Sequence, residues 1–506
     1  MSRKKNALTG FSADIIGQII SQILTFIAIP IYLNYLSDVE YGYWLTIGSV
    51  VIWISISDFG IGMALGRALM SVRAKLTNQK LDQEINFLIN TSLLLFLGCS
   101  ILFFLVGLFV YPFTVDWFGI NLKGITSYKT TYFLCIIAGS LSMPLSVFAG
   151  VIESSQKLAL NRNIVTLGNM LNILISIFLV HKLKVIEALG YSLLLAVIIK
   201  SFVAFFYASR LINLKISLNY FKKRHVKKLL KTGGYFQVTT IANTVSTNTD
   251  NLFISSFIGV NFVPTYNFTS KLFQIFSISI ASKISQALFA GASEIIDKSQ
   301  TIKLQILFNT LIKTLFRLAL ISTGFVYFFN KDFISLWVGE SFYGGDKLNL
   351  IISYWVLYEF LARGSTFLIY AFNEFRDFAY ISVLEIFCNV ILSIILIQKY
   401  GLLGVAFATA ISRTLTTGLY LFFYFKKKEL YSIDLLNNLI KILFLSTPTF
   451  LFFFFSKTFF TNVDWIVLIF VGLISLLVNV LCFDLIKIIR YKHEGVKKIL
   501  FRILNT

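Results

Sequence analysis

The chain has 506 residues, of which 57% are hydrophobic and 14% charged, with 53 phenylalanines and a formal net charge of +21. Soluble domains carry about 25% charged residues, so the charge here is too sparse to coat the ~3 soluble domains that such a length would suggest. Disordered, collagen-like and disulfide-rich secreted classes are excluded by the same composition.

A window of about 20 residues, enough to cross a ~30 Å hydrocarbon core, marks fourteen predicted helices. They fall at 13–36, 43–65, 86–110, 128–152, 164–180, 188–208, 234–257, 267–290, 306–329, 348–372, 379–397, 402–424, 439–456 and 464–486. The sequence therefore predicts an all-α, polytopic membrane protein of about 14 spans. Its connections are too short for a separate aqueous domain. Arg3-Lys4-Lys5 precede an apolar run that is too long for a signal-peptide core and lacks an A-x-A site. With the N-terminus placed in the cytoplasm, inside segments hold 29 Lys and Arg and outside loops hold 7. The positive-inside rule then expects both termini of this multi-pass protein in the cytoplasm. It also accounts for the basic balance without nucleic acid. The run from Phe221 to Lys231, FKKRHVKKLLK, is expected to lie as an interfacial basic helix on anionic lipid, with a partner or substrate role as the alternative.

The first span carries Asp14, Gln18, Ser21, Gln22 and Thr25 as one helical stripe, and the seventh carries Thr240, Asn243, Thr244 and Thr247, continued by Asp250. At an offset of 222, Gln18, Ser21, Gln22 and Thr25 coincide with Thr240, Asn243, Thr244 and Thr247. Similar offsets match Tyr41 with Tyr266, Trp117 with Trp337, Gln156 with Asn373, Asn172 with Asn389 and Gly190 with Gly404. Six helices are thus repeated. The first lobe is expected at 1–209, a basic cytoplasmic linker at 210–232 and the second lobe at 233–425. Two further spans and a basic tail follow at 426–506. Because six is even, the two lobes are parallel, as in transporters whose substrate path runs between them. Helix-to-helix hydrogen bonding can also explain such stripes, but their repetition favours a polar cavity lined by Gln18, Gln22, Thr25, Asn243 and Thr247.

Charges inside spans lean positive: Lys200, Lys271, Lys283, Lys313, Arg317, Arg363 and Arg413 stand against Asp58, Asp250, Glu359 and Glu385. On insertion scales each costs about 2.5–3.5 kcal/mol at a helix centre. A cation-rich cavity suits an anionic passenger, so Lys200, Lys271, Lys283, Arg317, Arg363 and Arg413 are candidates for binding phosphate or acidic sugars. Glu359 and Arg363, spaced i, i+4, are also placed to pair with each other. Lys200 and Arg413 follow the matched Gly190 and Gly404 by ten and nine residues. The four cysteines show no C-x-x-C spacing and the three histidines are isolated, so neither a metal nor a cofactor is expected. Gly62 and Gly66 form a G-x-x-x-G pattern, a signal for close helix packing.

The stretches GQIISQILTFIAIPIYLNYLSDVEYGYWLTIGSVVIWISISDFGIGMAL at 17–65, FAGVIESSQKLALNRNIVTLGNMLNI at 148–173 and LLKTGGYFQVTTIANTVSTNTDNLFISSFIGVNFVPTYNFTSKLFQIFS at 229–277 resemble the multidrug/oligosaccharidyl-lipid/polysaccharide exporter superfamily. The branch most similar is that of the polysaccharide transporters, the Wzx-type O-antigen flippases. The resemblance implies two six-helix lobes with alternating access, moving undecaprenyl-pyrophosphate-linked oligosaccharide outward across the bacterial cytoplasmic membrane. It implies no enzyme and no cofactor, and its partners are membrane lipid and other polysaccharide-assembly proteins. Spans 13 and 14 also resemble those of lipid-II flippases. Asp58 sits in the family's D-x-G pattern, where a capping role and ion coupling are both open. No G-x-x-x-x-G-K-[ST] pattern occurs, so antiport of H⁺ or Na⁺ is expected, with Asp58, Asp250, Glu359 and Glu385 as acidic candidates. A drug or cation exporter of the same superfamily would want an acid-lined cavity. A membrane glycosyltransferase would need an acid/base pair or a large outside loop.

Overall fold

The computed structural model describes residues 3–75, 78–117, 126–212, 214–372, 374–460 and 462–483. Among the described residues there is no strand. The helices are α1 (Arg3–Leu33), α2 (Asp38–Ile54), α3 (Ile61–Lys75), α4 (Asn78–Trp117), α5 (Thr126–Ser154), α6 (Leu158–Leu183), α7 (Glu187–Leu211), α8 (Lys223–Phe257), α9 (Phe262–Thr269), α10 (Lys271–Phe273), α11 (Ser282–Asp297), α12 (Thr301–Trp337), α13 (Asp346–Ala371), α14 (Phe375–Tyr400), α15 (Leu402–Arg413), α16 (Leu419–Lys427) and α17 (Ile433–Phe459). A last one, α18, covers Trp465–Phe483. Each predicted span falls on one of these helices or on one interrupted set of them.

Ten of these helical segments are long and apolar enough to cross a membrane. The predicted spans that fall short lie on α2, α8, α9 to α11, and α13. They carry the helix break at Ser55–Gly60, the Thr/Asn stripe of the seventh span, a π-helical segment, and the charges Glu359 and Arg363. Large apolar side chains such as Phe109, Phe202, Phe387 and Phe444 point outward. In water they would be an aggregation hazard; in a bilayer they are the lipid-facing belt.

The described residues form two compact units that divide between Pro264 and Thr265. In the first, Tyr43, Ile47, Leu65, Phe96, Phe103 and Tyr132 are fully buried. Ser37 caps α2: its hydroxyl accepts from Glu40 N, and Glu40 Oε2 accepts from Ser37 N at 2.8 Å. The second predicted span breaks where Phe59 and Gly60 take left-handed φ values of 52° and 67°. Asp58 Oδ1 accepts the Gly60 N–H at 2.9 Å across this turn. At 40 residues α4 is about 60 Å long, so it projects well beyond the hydrocarbon. There its asparagines strap down the basic connection. Lys215 N donates to Asn86 Oδ1 at 2.8 Å and Ser217 N to Asn90 Oδ1 at 3.0 Å. Glu84 lies 3.2 to 3.5 Å from Lys222, Arg224 and His225.

Two features differ from expectation. The basic run is not a separate interfacial helix: from Lys223 it forms the first turns of α8 and runs unbroken through Gly233 and Gly234. The expected lobes meet within 210–232, yet α8 packs in the first compact unit, on α2, α3 and α4. The contact is polar as well as close: Asn251 Nδ2 donates to Ser49 Oγ at 3.0 Å, and Gln237 Nε2 donates to the Ile56 carbonyl.

In the second unit, buried Asn330 and Asn349 join α12 to α13, with Asn330 Nδ2 donating to Asn349 Oδ1 at 2.8 Å. α17 lies on α12 through Phe453, which is fully buried among Phe325, Phe328 and Phe329. Lys457 of α17 pairs with Asp332 of α12.

Candidate functional site

The second unit holds a buried charge network assembled from three helices. One turn of α13 presents Glu359 and Arg363, α14 presents Glu385, and Arg413 is the last residue of α15. Arg413 lies between the two carboxylates: Nη1 donates to Glu359 Oε1, and Nε donates to Glu385 Oε1 at 3.2 Å. Arg363 Nε lies 2.9 Å from Glu359 Oε2, and its Nη1 reaches Ser282 Oγ at 3.4 Å. Thr417 Oγ1 donates to Glu385 Oε2. Glu359 is 4% exposed and Glu385 7%. Isolated buried carboxylates cost several kcal/mol each; here two guanidinium groups offset them, and the four charges sum to zero.

Both helices bearing the hydroxyl partners depart from α geometry beside the network. Gln274–Ala281 is π-helical and leads directly into Ser282, while Thr414–Gly418 is π-helical, follows Arg413 directly and contains Thr417. π-helical turns are uncommon and concentrate at functional sites. Tyr358 OH donates to the Arg413 carbonyl at 2.9 Å, and Tyr354 OH shares a 2.8 Å bond with Thr414 Oγ1. Against this turn lies a nearly wholly apolar groove of about 730 Å³, bordered by Tyr354, Phe407, Ile411, Thr414, Leu415 and Phe450.

The remaining expected cations do not join this cluster. Arg317 donates to the Asn479 side chain and, at 2.9 Å, to the Asn479 carbonyl, with its guanidinium 4.0 Å from the Phe483 ring centroid. It therefore ties α18 to α12. Lys271 and Lys283 are half-buried on α10 and α11. Lys200 stands on the buried face of α7, one turn from buried Ala196 and Ala204. Among the described residues neither Lys200 nor Lys271 has a hydrogen-bond or ion-pair partner. Arg363, Arg413 and Arg317, expected as cations facing an anionic passenger, each have local partners. The first two are neutralised by carboxylates, and the third caps a neighbouring helix.

Gln18 and Gln22 are exposed on α1, whereas Thr25 is half-buried and its hydroxyl donates to the Ser21 carbonyl of its own helix at 2.8 Å. Asp250 is buried on α8. Asp58 accepts the Gly60 N–H in the left-handed turn described above. The side chains of Asp14, Asn243 and Thr247, residue Asn373 and the basic tail beyond Phe483 lie outside the described residues. Sequence reasoning missed Tyr358 and Thr417. The clustered hydroxyls of Thr414, Thr416 and Thr417 were the available signal.

A family model described as "Polysaccharide biosynthesis protein" matches residues 7–296, more than half of the chain. The chain belongs to that family. No curated protein sequence matches it. Among solved structures, this family member is similar to the lipid II flippase MurJ in an inward closed conformation. The identity is 18% and the TM-score 0.72, covering 96% of this chain and 99% of that one. An inward-facing multidrug resistance MATE transporter is similar at 14% identity and a TM-score of 0.69, covering 81% of this chain and 95% of that one. A superfamily transporter from Pyrococcus furiosus follows at 13% identity and a TM-score of 0.57, covering 85% and 96%. The polysaccharide family member therefore shares the fold of these membrane transporters.

Proposed function

We propose that this protein flips an undecaprenyl-pyrophosphate-linked oligosaccharide, a surface-polysaccharide repeat unit such as O-antigen, from the inner to the outer leaflet of the bacterial cytoplasmic membrane. One observation carries the reading. The likeness to the lipid II flippase runs through 96% of this chain, whereas the multidrug transporter covers 81%. The flippase likeness therefore extends into α17 and α18, the helices appended to the six-plus-six repeat. Family membership supports the glycan, and the positive-inside count supports cytoplasmic termini.

Within this reading the protein works by alternating access, in exchange for H⁺ or Na⁺. The network around Arg413 suits such coupling. A proton or a cation taken up at Glu385 or Glu359 would remove one of the two counter-charges that hold the guanidinium, and the adjoining π-helical turn would be freed to rearrange. The apolar groove beside Thr414 suits the isoprenoid tail, whose glycan must stay in water.

The test is a reconstituted flipping assay with a fluorescent undecaprenyl-pyrophosphate oligosaccharide. Movement should require an imposed proton or sodium gradient. Export of a cationic dye with no movement of the lipid-linked sugar would overturn the reading in favour of drug export. Sugar movement indifferent to both gradients would overturn the antiport.

A further inference from the structure

We propose that the duplicated charge site has diverged between the two halves, leaving Lys200 as an unneutralised cation of the first unit that binds the phosphate group of the passenger. The inference rests on the lipid-linked-glycan reading above and assigns a residue to it.

The register that matches Asn172 with Asn389 also places Ser142, Ser146 and Gly168 where the second half has Glu359, Arg363 and Glu385. The same register puts Ala196 opposite Arg413 and Lys200 opposite Thr417, the residue that donates to Glu385, so the cation of the first unit stands one helical turn further along α7. In the second unit the carboxylates of α13 and α14 neutralise Arg413. In the first, the same helix positions offer nothing that could do so. Ser142 and Ser146 spend their hydroxyls on carbonyls of their own helix, Gly139 at 2.7 Å and Met143 at 2.6 Å.

Gly168 is a notch. A Cβ added there would lie 2.9 to 3.1 Å from Cδ, Cγ and Cβ of Lys200, so the lysine stem crosses the very position where the other half places Glu385. The two sites are therefore built on the same helix pair, α6 with α7 and α14 with α15, and differ in charge: zero in one, a bare ammonium in the other. A cation on a buried helix face without a counter-charge is disfavoured unless an anion visits it. A phosphate is the fitting visitor, since a compact ammonium binds it as a point charge.

The test uses the full-length purified protein in detergent, with farnesyl pyrophosphate as probe and farnesol as its uncharged counterpart. The wild-type protein should bind the pyrophosphate at least tenfold more tightly than the alcohol. Lys200→Met and Lys200→Gln should abolish that preference without changing farnesol affinity, and Lys200→Arg should keep it. Gly168→Asp, which restores a carboxylate beside the lysine, should weaken pyrophosphate binding while leaving Lys200 in place. Unchanged pyrophosphate affinity in folded Lys200→Met or Lys200→Gln overturns the proposal, as does a wild-type protein that prefers neither probe. The flipping assay separates the two readings. Equal transport by wild type and Lys200→Met removes this inference and leaves the function standing, whereas a wild type inert toward lipid-linked sugar removes the function itself.

Discussion

Replacing Arg413 by methionine tests whether the buried network behaves as an electrostatic unit. In the wild type, Arg413 Nε and Thr417 Oγ1 both donate to Glu385, and Glu359 is shared between Arg413 and Arg363. Removing the guanidinium leaves Glu385 buried without the counter-charge of Arg413. Breaking a buried pair in this way costs about 3–5 kcal/mol. Glu385→Leu should cost less, about 1–2 kcal/mol, because Arg413 retains Glu359 as a counter-charge. The double variant Glu385→Leu/Arg413→Met deletes one charge of each sign and leaves the Glu359–Arg363 pair intact. It should therefore sit within about 2 kcal/mol of wild type, since an apolar replacement of a buried pair is often near neutral. The expected coupling is at least about 2 kcal/mol. Equilibrium unfolding in mixed detergent micelles measures all three variants on one scale. Additivity of the single changes, to within about 0.5 kcal/mol, would refute the reasoning.

Three further outcomes follow from local geometry. A Cβ at Gly404 would fall 2.2 Å from the Leu396 carbonyl oxygen, so Gly404→Ala should destabilise by about 1–3 kcal/mol. Gly66 has nothing within 4 Å of such a Cβ, and Gly66→Ala should be neutral or stabilise by up to ~1 kcal/mol; thermal unfolding compares the two. Asn479→Ala removes a hydrogen bond to a charged group and should cost about 1.5–3 kcal/mol in the same assay, and adding Arg317→Met should cost more, because the bond to the Asn479 carbonyl and the contact with Phe483 are then lost as well. Burial above all, opposed by Glu84 but aided by Arg224, Lys222 and Lys228, holds the His225 imidazole pKa below its ordinary 6.5. The unfolded chain then takes up the proton more readily, so this contribution to stability is whole above pH 6.5 and is lost as the pH falls below it. A melting temperature that falls from pH 8 to 5.5 in wild type, and falls less in His225→Gln, is the expected result.

The existence and order of the helices were legible because span length and hydropathy are local properties, and α1, α4 to α7, α12 and α14 to α18 report them directly. One part of the charge network was equally local. Glu359 and Arg363 lie one helical turn apart, so their contact follows from spacing. Glu385 and Arg413 are 28 positions apart on different helices, and only packing brings them together. The π-helical turns at 274–281 and 414–418 had no signal at all, because no residue spacing specifies a π turn in the way that glycine or proline specifies a break. The G-x-x-x-G pattern is local too, but among the described residues no backbone lies within 4 Å of a Cβ added at Gly62 or Gly66, and the nearest side-chain atom to Gly62 is Phe96 Cζ at 3.8 Å.

The same distinction governs the charge. A net charge of +21 invites a search for an anion-binding cavity, yet 29 of the 45 lysines and arginines lie in the segments assigned to the cytoplasmic side, where orientation in the membrane accounts for them. Of the cations within spans, Arg363 and Arg413 are cancelled by carboxylates and Arg317 is spent on α18. Charge that is neutralised within a few ångströms exerts almost no field on a passenger. What a transported anion would meet is set by the few cations without local partners. In a duplicated chain these are found by asking where one half holds a basic residue and lacks the acid of the other.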